Sequence, residues 1–206
     1  MTTRDSSPNG KSSSRAYTEK LRAPKFSALV FVALFLDGTF YPLIALPLIY
    51  CRAACPDGLK SLGIRRSGVR ESAFMGIFAA IVVVAIWLIS LKAYGSWPIP
   101  KSATILLKDV LWYPVYEEVT YRGFFLSQLG GYFNAPWKAN LAQTALFVLV
   151  HYHLVYAGMP IRLLPVFALG LTLGYTFLRS RNLVGCILGH SMANGGAALI
   201  LLAKAG

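Results

Sequence analysis

The sequence predicts an all-α fold, a polytopic transmembrane helix bundle with about six membrane helices. Hydrophobic residues make up 56% of the 206 residues and charged residues only 14%, whereas charged residues are about 25% of an ordinary soluble domain. Several apolar runs approach or exceed the roughly 20 residues that a helix needs to cross a hydrocarbon core. Short polar stretches containing Pro or Gly separate these runs. The length fits a single domain.

Residues 1–24 are rich in Ser, Thr, Lys and Arg and show no apolar periodicity. They are predicted to form a disordered basic tail, and not a cleaved signal, which would need an apolar region near the start. Residues 25–206 are predicted to form one transmembrane domain. Within it, residues 26–50 are the first expected span, and residues 52–71 form a basic connector expected to lie on the membrane surface.

The later helices are predicted from apolar runs and from the capping, Gly and Pro residues that bound them. Residues 72–91 carry no charge and form the clearest span. Residues 102–129 begin at a Ser cap and end near Gly130, and Pro114 inside this helix removes one backbone hydrogen bond and should bend it. Further helices are predicted at 136–156, 160–178 and 183–203. Gly170 and Gly174, four residues apart, offer a small face for close helix packing.

The basic character of the chain points to lipid and not to nucleic acid. The formal charge is +12, but the Lys and Arg residues lie mainly in short connections between apolar runs. Anionic lipid head groups are therefore the expected partners, and no nucleic acid is expected. Cys51 and Cys55 lie at the end of an apolar segment without metal-ribbon spacing. They are interpreted as interface residues, with a lipidated or redox role as the alternative.

Glu117 and Glu118 form an acidic pair inside a long apolar run, although the chain has only eight acidic residues. Ionisable groups at membrane depth cost at least ~2.5 kcal/mol each and usually face a polar interior. On a helix, Glu118 and Arg122 lie one turn apart on one face, whereas Glu117 points about 100° away. Arg122 is expected to hold Glu118 ionised, which leaves Glu117 as the carboxylate that takes a proton from water.

All three histidines fall in predicted membrane helices. His151 and His153 are about 200° apart around one helix, so only one is expected to face the interior squarely. His190 and Asn194 share a face of the last helix. A single histidine in a helix is more often a hydrogen-bonded structural residue. A carboxylate, two imidazoles and a carboxamide converging from three helices are instead typical of a hydrolytic site.

These side chains form three ordered motifs on successive helices, namely Glu117-Glu118-x-x-x-Arg122, Phe147-x-x-x-His151 and His190-x-x-x-Asn194. The ordered set resembles the motifs of the CPBP intramembrane proteases, also called the CAAX protease or Abi family, with bacteriocin-processing and myxosortase-like members. The resemblance covers roughly residues 107–203.

The resemblance implies roles for six residues. Glu117 and His151 would hold and activate the attacking water, and His190 and Asn194 would stabilise the oxyanion. The supporting pair would be Glu118 and Arg122, in agreement with the helix-face interpretation above. His153 lies outside the motifs and is expected to face another helix, with a supporting position beside the site as the alternative.

The resemblance leaves the use of a metal open. A metal-dependent member would bind Zn²⁺ through Glu117, His151 and His190, whereas the same residues also support a metal-free glutamate mechanism. No His-Glu-x-x-His motif is present. The metal-free mechanism without a cofactor is therefore favoured, with zinc as the alternative.

The sequence thus predicts an integral, multi-pass membrane endopeptidase that cuts a membrane-associated protein or peptide. A leader peptide, a C-terminal sorting signal and a CAAX-type tail are the candidate substrates, and the first two are favoured because protein prenylation is chiefly eukaryotic. The compact form favours a prokaryotic cytoplasmic membrane. A non-catalytic scaffold or a proton-coupled transporter using Glu117 and Glu118 is the alternative, although transporters usually show paired repeats.

Overall fold

The structure is a computed structural model that describes residues 45–55, 57–94 and 102–205. These residues form helices and short connections, and no strand occurs among them. The predicted all-α fold class is confirmed. The predicted tail, residues 1–24, and most of the first predicted span, residues 26–50, lie outside the described residues.

Seven helices, numbered here along the described chain, make up the bundle. Helix α3 is one helical run over residues 103–129, and short 3₁₀ turns precede α2 and α6, at Gly58–Leu62 and Pro160–Arg162. The bounds of the other helices are α1 Ala45–Ala54, α2 Val69–Tyr94, α4 Pro136–Leu149, α5 His153–Tyr156, α6 Leu163–Ser180 and α7 Leu183–Ala205.

Three helices of the described chain are long and apolar enough to cross a membrane: Val69–Lys92, Pro160–Ser180 and Leu183–Ala203. Each matches a span predicted from the sequence. Large apolar side chains of α2 point away from the bundle, with Phe74 76% and Ile89 65% exposed. Such exposure is unfavourable in water and suits contact with lipid. The total of about six membrane helices stays a prediction.

Helix α7 packs against α2 through glycines. A Cβ on Gly185 would collide with the backbone oxygen of Ser72, and one on Gly189 would meet the Gly76 carbonyl oxygen at 2.5 Å. The Ser72 hydroxyl donates to the Asn182 carbonyl at 2.9 Å and accepts from the Gly185 amide at 2.9 Å. Backbones that approach this closely maximise van der Waals contact between apolar helices.

Helix α6 uses its own glycines against α4, as the spacing predicted. A Cβ on Gly170 would lie 2.6 Å from Thr144 Cγ2, and one on Gly174 would collide with the Asn140 carboxamide. The Asn140 Nδ2 donates to the Leu171 carbonyl at 3.0 Å. This contact fixes α4, and therefore the loop that follows it, relative to α6.

The connector between α1 and α2 packs against the turn between α6 and α7. Its position on the membrane surface stays a prediction. Asn182, in the turn between α6 and α7, donates to the carbonyls of Arg65 and Ser67 at 2.7 and 2.8 Å. Leu62 is only 1% exposed, and the Leu183 amide donates to the Gly63 carbonyl at 3.1 Å. The connector therefore closes one end of the bundle.

Helix α3 begins as predicted and then departs from a regular α-helix. The Ser102 hydroxyl caps it by accepting from the Ile105 amide at 3.2 Å. Two π-helical stretches follow, Lys108–Trp112 and Glu118–Leu126. The first lies directly ahead of Pro114, which has no amide hydrogen to continue the regular ladder. Such π stretches inside α-helices are frequent at functional sites.

The predicted helix 136–156 is wrong in its middle. Helix α4 ends at Leu149, and a turn carries His151 and Tyr152 before the short α5 begins. The His151 amide donates to the Val148 carbonyl at 3.0 Å, whereas the His151 imidazole occupies the Phe147 carbonyl that a continuing α-helix would use. Competition of a side chain for this acceptor accounts for the break.

Candidate active site

Glu118 is the centre of the site's hydrogen-bond network. Its Oε1 accepts from Arg122 Nη1 at 2.8 Å and from His190 Nδ1 at 2.8 Å. Arg122 also donates to the Leu169 carbonyl at 3.2 Å. Glu118 and Arg122 are both completely buried, so the ion pair predicted from their spacing is present in the core. The network joins α3, α6 and α7.

Glu117 lies beside this network and faces open space. Its side chain is 20% exposed, and its Oε2 lies 3.7 Å from His190 Nε2. This separation is too long for a direct hydrogen bond. It is short enough for one water molecule to contact both atoms. The two adjacent acids thus occupy different surroundings, as their helix positions predicted.

The contacts of the two histidines determine which nitrogen is free. Because a carbonyl oxygen can only accept, His151 Nδ1 donates to the Phe147 carbonyl at 2.7 Å. His151 Nε2 is then the nitrogen left to take a proton. In the same way, His190 Nδ1 donates to the Glu118 carboxylate and its Nε2 faces Glu117.

Phe147 supports both histidines and the buried cation. Its ring lies 4.8 Å from the His151 ring, 6.3 Å from the His190 ring and 4.5 Å from Arg122 Cζ. Tyr121 packs against it edge-on at 5.0 Å. The guanidinium above the ring gains a cation–π attraction that is strongest in desolvated surroundings. Phe147 therefore fixes the relative positions of three charged or polar groups.

Both His151 and His153 line the same cavity. Their rings are 5.9 Å apart. His151 is half-buried and His153 is exposed, which agrees with the prediction that only one of them faces the interior squarely. His153 borders the cavity, which was the alternative to a position against another helix.

Asn194 also lines the cavity, one turn after His190 on α7. Its Nδ2 donates to the Asp109 carbonyl at 2.8 Å, which joins α7 to the first π-helical stretch of α3. One N–H of the carboxamide is engaged in this way, and the second remains for another acceptor. The sequence pattern gave no indication of this partner.

A cavity of about 720 Å³ contains these groups. The four residues predicted to be catalytic line it together, whereas Glu118 and Arg122 lie behind its wall. Apolar side chains line the part beyond the polar groups, including Val83, Trp87 and Leu201. His190 and Leu201 are both on α7, so the cavity follows that helix over roughly 16 Å.

The sequence interpretation missed two charged residues of the cavity, Asp109 and Arg162. Asp109 precedes the acidic pair by two helical turns, and only the π-helical stretch determines its direction. Arg162 lies in the 3₁₀ turn before α6 and was read as part of a membrane span. An arginine at the start of an apolar run is commonly an interfacial residue, so no sequence signal distinguished it.

The metal alternative was tested against the donor positions. Among the residues that the structure describes, no group of three or more His, Cys, Asp or Glu side chains is placed to hold a metal ion. His190 Nδ1 is engaged by Glu118, and Glu117, His151 and His190 are not gathered around one point. The residues thus do not fit a zinc site in this arrangement, and no step is assigned to a metal.

Comparison with known families gives an independent result. Residues 97–196 match the family model described as "Type II CAAX prenyl endopeptidase Rce1-like". All three motifs fall inside the matched range. Neither the curated proteins nor the solved structures include a match. Over residues 97–196, the chain is therefore similar to the CAAX protease family, the family that the three motifs indicated.

Proposed function

We propose that the protein is an intramembrane endopeptidase that hydrolyses a peptide bond with a water activated by Glu117 and His151. The observation that supports this best is the position of Glu117, which is the acid of the pair that faces the cavity while Glu118 is buried in an ion pair. A general base must contact the attacking water, as Glu117 can, whereas a supporting acid such as Glu118 need not.

In the proposed first step, the water lies between the Glu117 carboxylate and His151 Nε2. Glu117 removes one proton as the water oxygen attacks the scissile carbonyl carbon, and His151 Nε2 holds the water by accepting its second hydrogen. The proton held by Glu117 then passes to the amide nitrogen, the C–N bond breaks as the oxyanion re-forms a carbonyl, and the products are a carboxylic acid and a free amine. Proton transfers of this kind contribute about 10²–10⁴-fold in rate.

His190 and Asn194 are the proposed donors to the oxyanion. Asn194 has one N–H beyond the bond to Asp109. Because His190 Nδ1 already donates to Glu118, the imidazole donates through Nε2 only as an imidazolium.

The proposed substrate is a membrane-associated peptide tail. The family match favours a CAAX-type tail among the three candidates, with a leader peptide and a C-terminal sorting signal as the others. The apolar side chains that line the cavity, among them Val83 and Leu201, are suited to an apolar segment of the substrate. A polar site at the inner end and an apolar wall beyond it allow water to reach only the bond to be cut.

The test is processing of candidate substrates in membranes containing the wild type, Glu117→Gln or His151→Ala. Both variants should abolish processing while the protein stays folded, with a decrease of about 10²-fold or more. Lys138→Gln, on the exposed start of α4, is the matched control and should process normally. Unchanged processing in both active-site variants would exclude the peptidase. Substrate-dependent proton flux in liposomes would instead support a transporter.

A further inference from the structure

We propose that Arg162 is a specificity-determining residue that binds the C-terminal carboxylate of the substrate, three residues beyond the bond that is cut. This inference rests on the proposed endopeptidase function. It depends on three observations: the charge of the cavity wall, the distance of Arg162 from the reacting groups, and the way in which its turn is held.

Arg162 is the only Lys or Arg among the described residues that line the cavity. Its side chain is half-buried. A guanidinium presents two parallel N–H groups that match a carboxylate, and such charge-assisted pairs strengthen away from water. The acids of the cavity, Asp109 and Glu117, lie on α3, whereas Arg162 lies at the start of α6. The cavity thus offers a cation on a wall distinct from that of the proposed base.

The depth of Arg162 follows from its position along the helix. The Leu169 carbonyl accepts from Arg122, which shares the Glu118 carboxylate with His190, so Leu169 marks the depth of the proposed reacting groups on α6. Both Leu169 and Arg162 line the cavity. Arg162 precedes Leu169 by seven residues, which corresponds to roughly 10 Å along the helix.

Three extended residues span at most about 10–11 Å. A substrate whose scissile bond lies at Glu117 and His190, and which continues for three residues, would therefore bring its terminal carboxylate to Arg162. A CAAX tail has three residues after its cysteine. The estimated rise from Leu169 to Arg162 is thus close to the length of an extended tripeptide.

The backbone at Arg162 is held in a defined place. The Arg162 amide donates to the Met159 carbonyl at 3.1 Å, and the Met159 amide donates to the Leu154 carbonyl at 2.8 Å. Arg162 Nη1 also contacts Met159 Sδ at 3.6 Å. The same short segment carries His153, so the turn couples the position of the guanidinium to the histidine end of the cavity.

A phosphate of an anionic lipid offers similar chemistry to a guanidinium, and the experiment separates the two sources. The probe is a fluorescein-labelled tetrapeptide that begins with farnesyl-cysteine, prepared with a free carboxylate or with a carboxamide. Its binding is measured by anisotropy to the full chain carrying Glu117→Gln, which removes turnover, in phosphatidylcholine nanodiscs. The free acid should bind about 10-fold or more tightly than the amide, as for a charge-assisted pair.

Adding Arg162→Gln should weaken binding of the acid to the level of the amide and leave the amide unchanged. Arg162→Lys should keep part of the preference, and Arg179→Gln, at the other end of α6 and outside the cavity, should keep all of it. Equal binding of acid and amide to the Glu117→Gln protein that retains Arg162 overturns the proposal. This outcome does not depend on the folding of any Arg162 variant. Absence of saturable binding by either peptide, or a preference that survives Arg162→Gln, also overturns it.

Nanodiscs that contain phosphatidylglycerol form the second arm. If the lipid changes Arg162-dependent binding while acid and amide bind equally, the ligand is a lipid phosphate and the proposal fails. The outcome is separable from the peptidase proposal because binding needs no turnover. If the acid binds more tightly than the amide but the wild type cleaves no substrate, the carboxylate site is supported and the peptidase proposal fails. If the wild type cleaves substrate but acid and amide bind equally, the peptidase proposal is supported and the carboxylate site fails.

Discussion

His190 on α7 donates a 2.8 Å hydrogen bond from Nδ1 to Glu118 Oε1 on α3, and the same carboxylate oxygen accepts from Arg122. One buried oxygen therefore orients the imidazole of the candidate site and neutralises the guanidinium behind it. The neighbouring Glu117 is outside this pair of contacts and is the acid that reaches the cavity. Because the two adjacent acids differ in burial, we expect them to differ in function.

Replacing Glu118 should affect stability as well as activity. Glu118→Gln leaves the buried Arg122 charge without its counter-ion, and breaking a buried pair in this way costs about 3–5 kcal/mol. Glu117→Gln, at the 20% exposed position, should lose activity with little loss of stability. Unfolding in detergent, followed by circular dichroism during titration with sodium dodecyl sulfate, measures the difference. Equal stability of the two variants would contradict the assignment of Glu118 as the supporting acid.

Replacing Phe147 should separate packing from the cation–π contact. Phe147 is 1% exposed, and Phe147→Ala should cost about 3–5 kcal/mol in unfolding free energy. Phe147→Leu keeps most of the apolar volume and loses the ring beneath Arg122, which is expected to cost about 0.5–2 kcal/mol from that contact. The catalytic rate should fall in both, because His151 loses the ring that positions it. A Leu variant with the stability and rate of the wild type would show that the aromatic contact is dispensable.

The two histidines of the loop should differ in their effect on the rate. His151→Ala removes the imidazole whose Nδ1 is held by the Phe147 carbonyl and should lower kcat by about 10²–10⁴-fold. His153→Ala should lower it less, because the more exposed His153 shares the cavity without a fixed contact to the reacting groups. Initial rates of the two purified variants on one substrate provide the comparison. A larger decrease for His153→Ala would reverse the assignment.

Close packing of α2 and α7 predicts opposite results for two glycines of the same helix. In Gly185→Ala, the new methyl group collides with the backbone of Ser72, and the required helix shift should cost about 1–3 kcal/mol. In Gly195→Ala, the nearest atom lies 3.8 Å away, and the substitution should be neutral or stabilise by about 0.5–1 kcal/mol. Thermal unfolding of both variants in one detergent measures this. If Gly195→Ala is the more damaging, the helices do not pack as described.

The cysteines should be unreactive in the folded protein. Cys51, Cys55 and Cys186 are free and buried, with exposures of 1%, 8% and 0%. Burial raises the pKa of the Cys55 thiol, so it stays protonated through neutral pH and above, and the reactive thiolate is scarce. Mass spectrometry after maleimide treatment at neutral pH should show no adduct before denaturation and three after it. Rapid native labelling of Cys51 or Cys55 would favour the lipidated or redox alternative.

Much of the fold could be predicted because its causes are local. The uncharged run that became α2, the Ser102 cap, and the glycine spacing in α6 each act within one or two helical turns. The pairing of Glu118 with Arg122 is of the same kind, because it spans four residues of one helix. The ordered motifs also indicated the family whose model matches residues 97–196.

The break after Leu149 was not predictable from periodicity. At the break, the Phe147 carbonyl accepts a hydrogen bond from the His151 imidazole in place of the His151 amide. Sequence periodicity does not show which of the two donors will bind. The π-helical stretches of α3 were likewise not predicted from its apolar pattern. After the break, His151 and His153 both border the cavity, His153 from an exposed position.

By itself, the sequence determined the apolar helices, their caps and the chemical groups available to a site. The tertiary structure decided which of those groups meet. His190 lies 72 residues from Glu118 and Asn194 lies 85 residues from Asp109, and no local pattern encodes either contact. Such pairs form because buried donors and acceptors must find partners where the packed helices place them, and glycine contacts between helices set those places.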